Sequence, residues 1–153
     1  MNRKSHGILL CLALAALALD TEAQSTASET VTHYDAHGRV VFVSYPVSGV
    51  TDINQPLPGT RTTYDAIGRV TRVEQDSEHG VLVTTTEYRD DGRGLHTLVT
   101  DPRGQQTRTW YQMFDKPDYT RPVRIEHPEG VVTEITRDPY GNPTSITRSG
   151  PGS

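Results

Sequence analysis

Residues 34–40 read Tyr-Asp-Ala-His-Gly-Arg-Val, and residues 64–70 repeat them as Tyr-Asp-Ala-Ile-Gly-Arg-Val. A degraded copy, Tyr-Arg-Asp-Asp-Gly-Arg, occupies residues 88–93. A further copy at 137–142, Arg-Asp-Pro-Tyr-Gly-Asn, keeps the Asp and the Gly but has lost the first tyrosine. A motif that recurs several times in a short chain is typical of a repeat protein.

The chemistry of each copy predicts a chain reversal. Asp35 and Asp65 each open a four-residue turn, because an aspartate can accept a hydrogen bond from the backbone N–H two residues later. The glycine then takes the left-handed conformation that closes a type I turn with a bulge. The tyrosine is the last residue of the incoming strand, and its ring can pack across the sheet. The predicted turn residues are Tyr34, Asp35, Gly38, Arg39, Tyr64, Asp65, Gly68, Arg69, Tyr88, Gly92, Asp138 and Gly141.

Between the turns lie short runs rich in Val, Thr, Tyr and Ile, and none has apolar residues at sustained helical spacing. Glycines 68, 80, 92 and 104 step by twelve residues, so two steps make one hairpin. We therefore predict an all-β protein, an antiparallel β-hairpin repeat array that forms an open curved sheet. Residues 54–60, which include Pro56, Pro58 and Gly59, are predicted as a loop. The predicted strands are 39–46, 69–75, 81–88, 95–100, 105–111, 121–126, 131–137 and 144–148.

The N-terminus has the layout of a secretory signal peptide. Arg3 and Lys4 precede an apolar run from Gly7 to Leu19, which is short for a transmembrane helix. Cleavage is predicted after Ala23, with Ala27 as a second, weaker cleavage position, and an uncleaved membrane anchor is the alternative to a signal peptide. The predicted organisation is a signal peptide at 1–23, a disordered linker at 24–29, the repeat region at 30–149 and a disordered tail at 150–153. Export places the product in the periplasm, outside the cell or at the cell surface, without stable membrane insertion.

The amino-acid composition argues against several classes of protein. The chain has 153 residues, 33% of them hydrophobic, which is little for a thick two-layer core. The net charge of −4 comes from interspersed acids and bases and lacks the basic stripe that nucleic-acid binding needs. The single cysteine, Cys11, lies within the predicted signal peptide, so the exported chain would have no disulfide and no thiolate ligand.

The motif Tyr-Asp-x-x-Gly-Arg followed by an aliphatic residue, with its spaced copies, resembles the RHS/YD-repeat family over residues 30–149. The resemblance implies a partial YD shell of the teneurin-like kind, an antiparallel sheet wound as a scaffold in cell-surface or toxin-associated assemblies. Complete shells of that family have many more repeats. The Asp-Pro-x-Gly motifs at 101–104 and 138–141 superficially resemble the family's self-cleaving region, but they fall in register with ordinary turns and are predicted as turns.

Some side chains other than the predicted turn residues are candidates for glycan binding, metal binding or catalysis. Trp110, Tyr111, Phe114 and Tyr119 are a candidate platform for stacking on a cell-surface glycan, and the alternative is that they cover the sheet. His33 and His37 flank a turn without further ligands nearby in sequence, so no metal and no cofactor is predicted. No nucleophile elbow occurs, and we predict that the protein is not an enzyme.

Two expectations concern partners. Arg39, Arg69, Arg72, Arg93 and Arg108 are predicted as solvated cross-strand partners of acidic side chains, namely Glu74, Glu87 and Asp101. An open array leaves edge strands with unpaired backbone groups. We therefore predict protein partners that add by β-edge pairing, either a second copy or another RHS/YD-repeat protein.

Overall fold

The computed structural model describes residues 28–113 and 117–151. These residues form ten β-strands, joined by turns and loops. They include no helix, and hence none long and apolar enough to cross a membrane. The strands are β1 (Thr32–Tyr34), β2 (Val40–Ser44), β3 (Gly59–Tyr64), β4 (Val70–Ser77), β5 (Gly80–Asp90), β6 (Leu95–Thr100), β7 (Gln106–Met113), β8 (Pro117–Glu126), β9 (Val132–Arg137) and β10 (Pro143–Ser149).

The strands form one open sheet in the order of the sequence, from β1 to β10. Each strand pairs antiparallel with the strand before it and the strand after it. The prediction of an all-β antiparallel hairpin array is confirmed. Within the described residues, β1 and β10 each have a single neighbour, so they are the two edges of the sheet.

Two strands were missing from the predicted set. The structure adds β1 and also β3, which begins at Gly59, so Gly59 and Thr60 belong to a strand and the loop is shorter than predicted. Pro56, Pro58 and Gly59 are strong loop signals, which explains the error. Residue 59 is a glycine within a strand because the backbone of β2 passes so close to it that a side chain would not fit there.

The Asp turns share one geometry. Asp35 N–H donates to the Arg39 carbonyl and Gly38 N–H donates to the Asp35 carbonyl, at 2.9 and 3.0 Å. The same two backbone bonds recur in the turns that begin at Asp65, Asp101 and Asp138, and also in the turn that begins at His127. Gly38 and Gly68 have φ of 76° and 88°, the left-handed conformation that glycine adopts without steric cost.

Very few side chains are buried. In the described part, the buried hydrophobic residues are Val31, Leu98 and Trp110, and the buried polar ones are Ser44, His96 and Thr97. The sheet is therefore a single layer whose faces are mostly open. Its cohesion comes from backbone hydrogen bonds and cross-strand contacts, in keeping with the low hydrophobic content of the sequence.

Several predictions fall on residues outside the described ranges. They are the signal peptide at 1–23, most of the linker at 24–29, Phe114, and the last two residues of the tail. At the end of that linker, Glu29 is described, and it exchanges backbone hydrogen bonds with Val47 at 2.8 and 2.9 Å.

Candidate functional site

The repeat motif builds a contact between successive repeats, which we call the clasp: the Asp and Arg of one turn together with the Tyr of the next repeat. In the first clasp, Arg39 Nε donates to Asp35 Oδ2 at 2.7 Å, and its guanidinium lies 4.6 Å from the Tyr64 ring centroid. Tyr64 Oη donates to the Val40 carbonyl at 2.8 Å. The tyrosine therefore reaches back to β2, a neighbour of its own strand, and ties two repeats together.

The second clasp has the same arrangement, with its aspartate and arginine thirty residues further along the chain and its tyrosine twenty-four residues further. Arg69 Nε donates to Asp65 Oδ2 at 2.7 Å, and the guanidinium lies 3.9 Å from the Tyr88 ring centroid. Tyr88 Oη donates to the Val70 carbonyl at 3.1 Å. Arg69 Nη1 also donates to Tyr119 Oη at 3.2 Å, which links this clasp to β8. The degraded copy at 88–93 has thus kept the tyrosine that the preceding turn requires.

Tyr34 is the exception among the motif tyrosines. Its side chain is 63% exposed, although it stands at the same place in its repeat as Tyr64. No described strand lies on the outer side of β1 to supply an arginine or a carbonyl. Among the described residues, Tyr34 is therefore one half of a clasp without the other half.

The clasp predicts that two surface arginines, Arg69 and Arg72, differ in how much they contribute to the stability of the fold. Arg69→Ala removes the ion pair, the stacking on Tyr88 and the bond to Tyr119, so we expect the free energy of unfolding to fall by about 1 kcal/mol. Among the described residues, the Arg72 guanidinium pairs with Glu74 of its own strand, and Arg72→Ala should cost less than about 0.5 kcal/mol. Urea unfolding followed by circular dichroism measures both. Equal effects would show that the clasp adds nothing to stability.

The three candidate stacking residues that the structure describes, Trp110, Tyr111 and Tyr119, do not form one platform. Trp110 is only 4% exposed, and its ring stacks on His96 at 5.1 Å between centroids. Tyr111 and Tyr119 lie on the opposite face, with ring centroids 5.1 Å apart, and Tyr111 Oη lies 2.9 Å from Thr97 Oγ1. Phe114 is outside the described residues. Trp110 therefore does not present a free ring to a sugar in this structure.

Charge is concentrated on one face of the sheet. Since directly paired residues share a face and side chains alternate along a strand, the register divides the two sides. The charged face carries Arg61, Arg72, Glu74, Asp76, Glu87, Arg89, Arg108, Arg124, Glu126 and Glu134. The other face carries mainly uncharged side chains, namely Val43, Thr62, Val73, Leu82, Thr84, Thr86, Val99, Thr107, Thr109, Ile125, Thr133, Ile135 and Ile146. Its charged residues include Asp90, Arg148 and the Arg69 guanidinium that lies over Tyr88. Residue alternation alone did not reveal this division, because threonine occurs on both sides.

The arginine pairs differ from those predicted. Arg39 and Arg69 bind the aspartates of their own turns. Arg72 pairs with Glu74, and Glu87 pairs with Arg89, in both cases along one strand. Arg108 lies 3.6 Å from Glu126 across β7 and β8, which is a cross-strand pair with a different partner. Asp101 is used instead as a turn opener that accepts the N–H groups of residues 103 and 105.

Three turn carboxylates, those of Asp35, Asp65 and Asp138, have lowered pKa values. The backbone N–H of Arg39 is the largest cause at Asp35, and the side-chain amide of Asn142 is the largest at Asp138. Burial raises the pKa of Asp65, but the hydrogen bonds from Arg69 and Ile67 outweigh it. Each bond favours the ionised carboxylate, so these groups stabilise the fold only while they are charged.

Acid should therefore destabilise the sheet. A carboxyl group whose pKa is lower in the folded state contributes stability above its unfolded pKa of about 3.9 and loses it as the pH falls through the folded pKa. We expect the urea midpoint to be level from about pH 7 to 5 and to fall below about pH 4. Asp138→Asn should reduce the steepness of that fall. A midpoint that stayed constant down to about pH 2.5 would contradict this use of the turn aspartates.

The fold and the clasp define a class: an open, single-sheet β-repeat protein whose repeats are tied by Asp, Arg and Tyr. No family model matches the chain, and no curated protein matches it. The described residues contain no group of three or more His, Cys, Asp or Glu side chains that could hold a metal ion. The repeat turns and the two sheet edges are thus the features from which a function can be argued.

Proposed function

We propose that this protein is an exported, non-catalytic scaffold of the RHS/YD-repeat type, a partial shell that extends by adding strands at its edges. The observation that carries the proposal is the sheet that residues 28–113 and 117–151 form: ten strands in sequence order, with β1 and β10 as edges that have one neighbour each and with few buried side chains. A layer that buries so little of itself gains stability when neighbouring repeats continue it.

The clasp supports a structural role for the motif. Asp35, Arg39 and Tyr64 bind one another or backbone groups, and Asp65, Arg69 and Tyr88 do the same. Their polar groups are used in holding repeats together, so the motif needs no reaction or ligand to explain it. An interaction scaffold requires this kind of repeated connection.

Edge strands suit the scaffold to binding protein. Backbone N–H and C=O groups on the outer sides of β1 and β10 can pair with a strand of a second copy or of another repeat protein. We expect size-exclusion chromatography with light scattering to show masses above the monomer that grow with concentration. A monomer across the whole concentration range would contradict the proposal.

Export can be tested on the same material. If residues 1–23 are a signal peptide, the protein expressed from its full sequence should accumulate without them. Intact-mass spectrometry should give a chain that begins at Gln24. Recovery of the uncleaved chain in the membrane fraction would instead favour the N-terminal anchor.

A further inference from the structure

The starting point is the exposed tyrosine of β1. Tyr64 and Tyr88 each stand at a motif position, and each donates its hydroxyl to the carbonyl that follows the arginine of the previous turn. Tyr34 stands at the same position with 63% of its surface exposed. The repeat geometry therefore specifies its missing partner: a strand that follows an Asp-x-x-Gly turn.

The outer backbone of β1 is oriented to receive such a strand. Ser44 N–H donates to the Val31 carbonyl, and Glu29 exchanges bonds with Val47, so residues 29 and 31 face β2. In an antiparallel ladder the backbone groups of successive residues point to opposite sides, so the residues on either side of Val31 point away from β2. The N–H and C=O of Thr30 and Thr32 thus point away from the sheet, where no described strand lies.

The opposite edge of the same chain offers the matching strand. β10 follows the turn at 138–142, whose backbone bonds are those of the turns at 35–39 and 65–69. Asp138 Oδ1 accepts the N–H groups of Tyr140 and Asn142, as Asp35 accepts those of His37 and Arg39. Asn142 and Pro143 therefore correspond to Arg39 and Val40. All seven residues of β10 are exposed.

Strand direction allows the two edges to meet. The ten strands alternate in direction, so β1 of a second copy can lie antiparallel to β10 and continue the order. The clasp register then places Tyr34 opposite Asn142 and its hydroxyl near the Pro143 carbonyl. Residues 1–27 of the chain contain no Asp-x-x-Gly sequence and so cannot supply this turn themselves.

We propose that copies of this chain associate head to tail, with β1 of one copy added to β10 of the next and Tyr34 completing the clasp. The proposal rests on the scaffold function and names its partner and contact. Such an interface uses different surfaces on the two copies, so it builds rings if the rotation closes and filaments if it does not. Asn142 in place of arginine removes the cation–π part of the clasp and weakens the contact.

Proline can block each edge separately because it removes an outward N–H donor. Thr32→Pro blocks β1. On β10 the equivalent site is Ile146, which corresponds to Val43 of β2. The backbone N–H of Val43 points toward β3, because residues two apart on a strand direct their backbone groups to the same side and Tyr45 N–H donates to the Pro58 carbonyl. Light scattering on the purified full-sequence product should show monomers for Thr32→Pro and for Ile146→Pro alone, and dimers when the two variants are mixed.

The tyrosine contact has its own test. Tyr34→Ala should raise the concentration needed for association by at least about tenfold, because it removes both the ring and the hydroxyl. Ile67→Ala, at a 75% exposed side chain in the turn between β3 and β4, away from both edges, is the control and should leave association unchanged. Asn142→Arg should lower the required concentration by roughly threefold, because it restores the stacking cation.

The outcomes separate this proposal from the scaffold function. If the wild-type protein associates but either proline variant alone still dimerises, the contact is β1 with β1 or β10 with β10, and the head-to-tail contact is refuted while edge assembly stands. If association is intact in Tyr34→Ala, the clasp is not part of the interface. If the wild-type protein does not associate, the scaffold proposal fails as well.

Discussion

Trp110→Ala is expected to lower the free energy of unfolding by about 3 kcal/mol, the largest effect of any single substitution considered. Trp110 is 4% exposed, and a sheet with so few buried side chains has little else to replace its contacts. Its ring stacks on His96, and the guanidinium groups of Arg108 and Arg124 lie 5.6 and 5.8 Å from its centroid. Removing the ring leaves these groups without the surface on which they pack.

Urea unfolding followed by far-ultraviolet circular dichroism measures this effect, since the substitution removes the only tryptophan. Tyr140→Ala serves as the control, because an 84% exposed side chain should cost less than about 0.5 kcal/mol. Trp110→Phe should recover part of the loss. A Trp110→Ala protein as stable as the wild type would show that the His96 and Trp110 cluster is not the core of the sheet.

Gly59→Ala is the second large effect, with an expected loss of about 2 kcal/mol or more. A Cβ at residue 59 would lie 2.7 Å from the Ser44 Cα and 2.8 Å from the Phe42 ring, and closer still to the Val43 carbonyl oxygen. These neighbours are backbone atoms and a packed ring, so β2 and β3 must move apart. Hydrogen exchange should show the loss of protection at β1 to β3.

Gly150→Ala provides the comparison. A Cβ there meets Val131 Cγ2 at 3.5 Å, an ordinary van der Waals distance, and we expect less than about 0.5 kcal/mol. Similar losses for Gly59→Ala and Gly150→Ala would mean that close approach is not the reason for glycine at residue 59. A strong effect confined to residue 59 would explain why a strand begins with a residue that usually signals a loop.

Most of the strands could be predicted because turn chemistry is local. Asp65 and Gly68 are enough to define a turn, and alternating Val and Thr define the strands on either side. β3 was missed because its reason for starting at Gly59 is a contact with β2, which lies some fifteen residues earlier in the chain. A loop signal and a close backbone approach use the same residue type, and only the neighbour distinguishes them.

The candidate sites were predicted less well than the fold. Asp35 and Asp65 open turns in the structure, but Tyr64 contacts the strand before its own, which no local pattern indicates. Because Trp110 and Tyr111 are adjacent in sequence, the sequence predicts that they belong to one aromatic patch. They lie on opposite faces, because side chains alternate along a strand and β7 is extended at this point.

The amino-acid sequence is enough to predict that the chain reverses repeatedly as antiparallel strands, since the turns that begin at Asp35, Asp65, Asp101 and Asp138 depend on residues within four positions of one another. The assembled sheet sets which partners those residues meet: arginine lies over the next repeat's tyrosine, most of the strand charges lie on one face, and among the described residues Tyr34 stands at the first edge without an arginine beside it. The physical reason is range. Turn conformation is set by bonds between near neighbours, whereas clasps, faces and edges depend on register between strands that only the assembled sheet brings together.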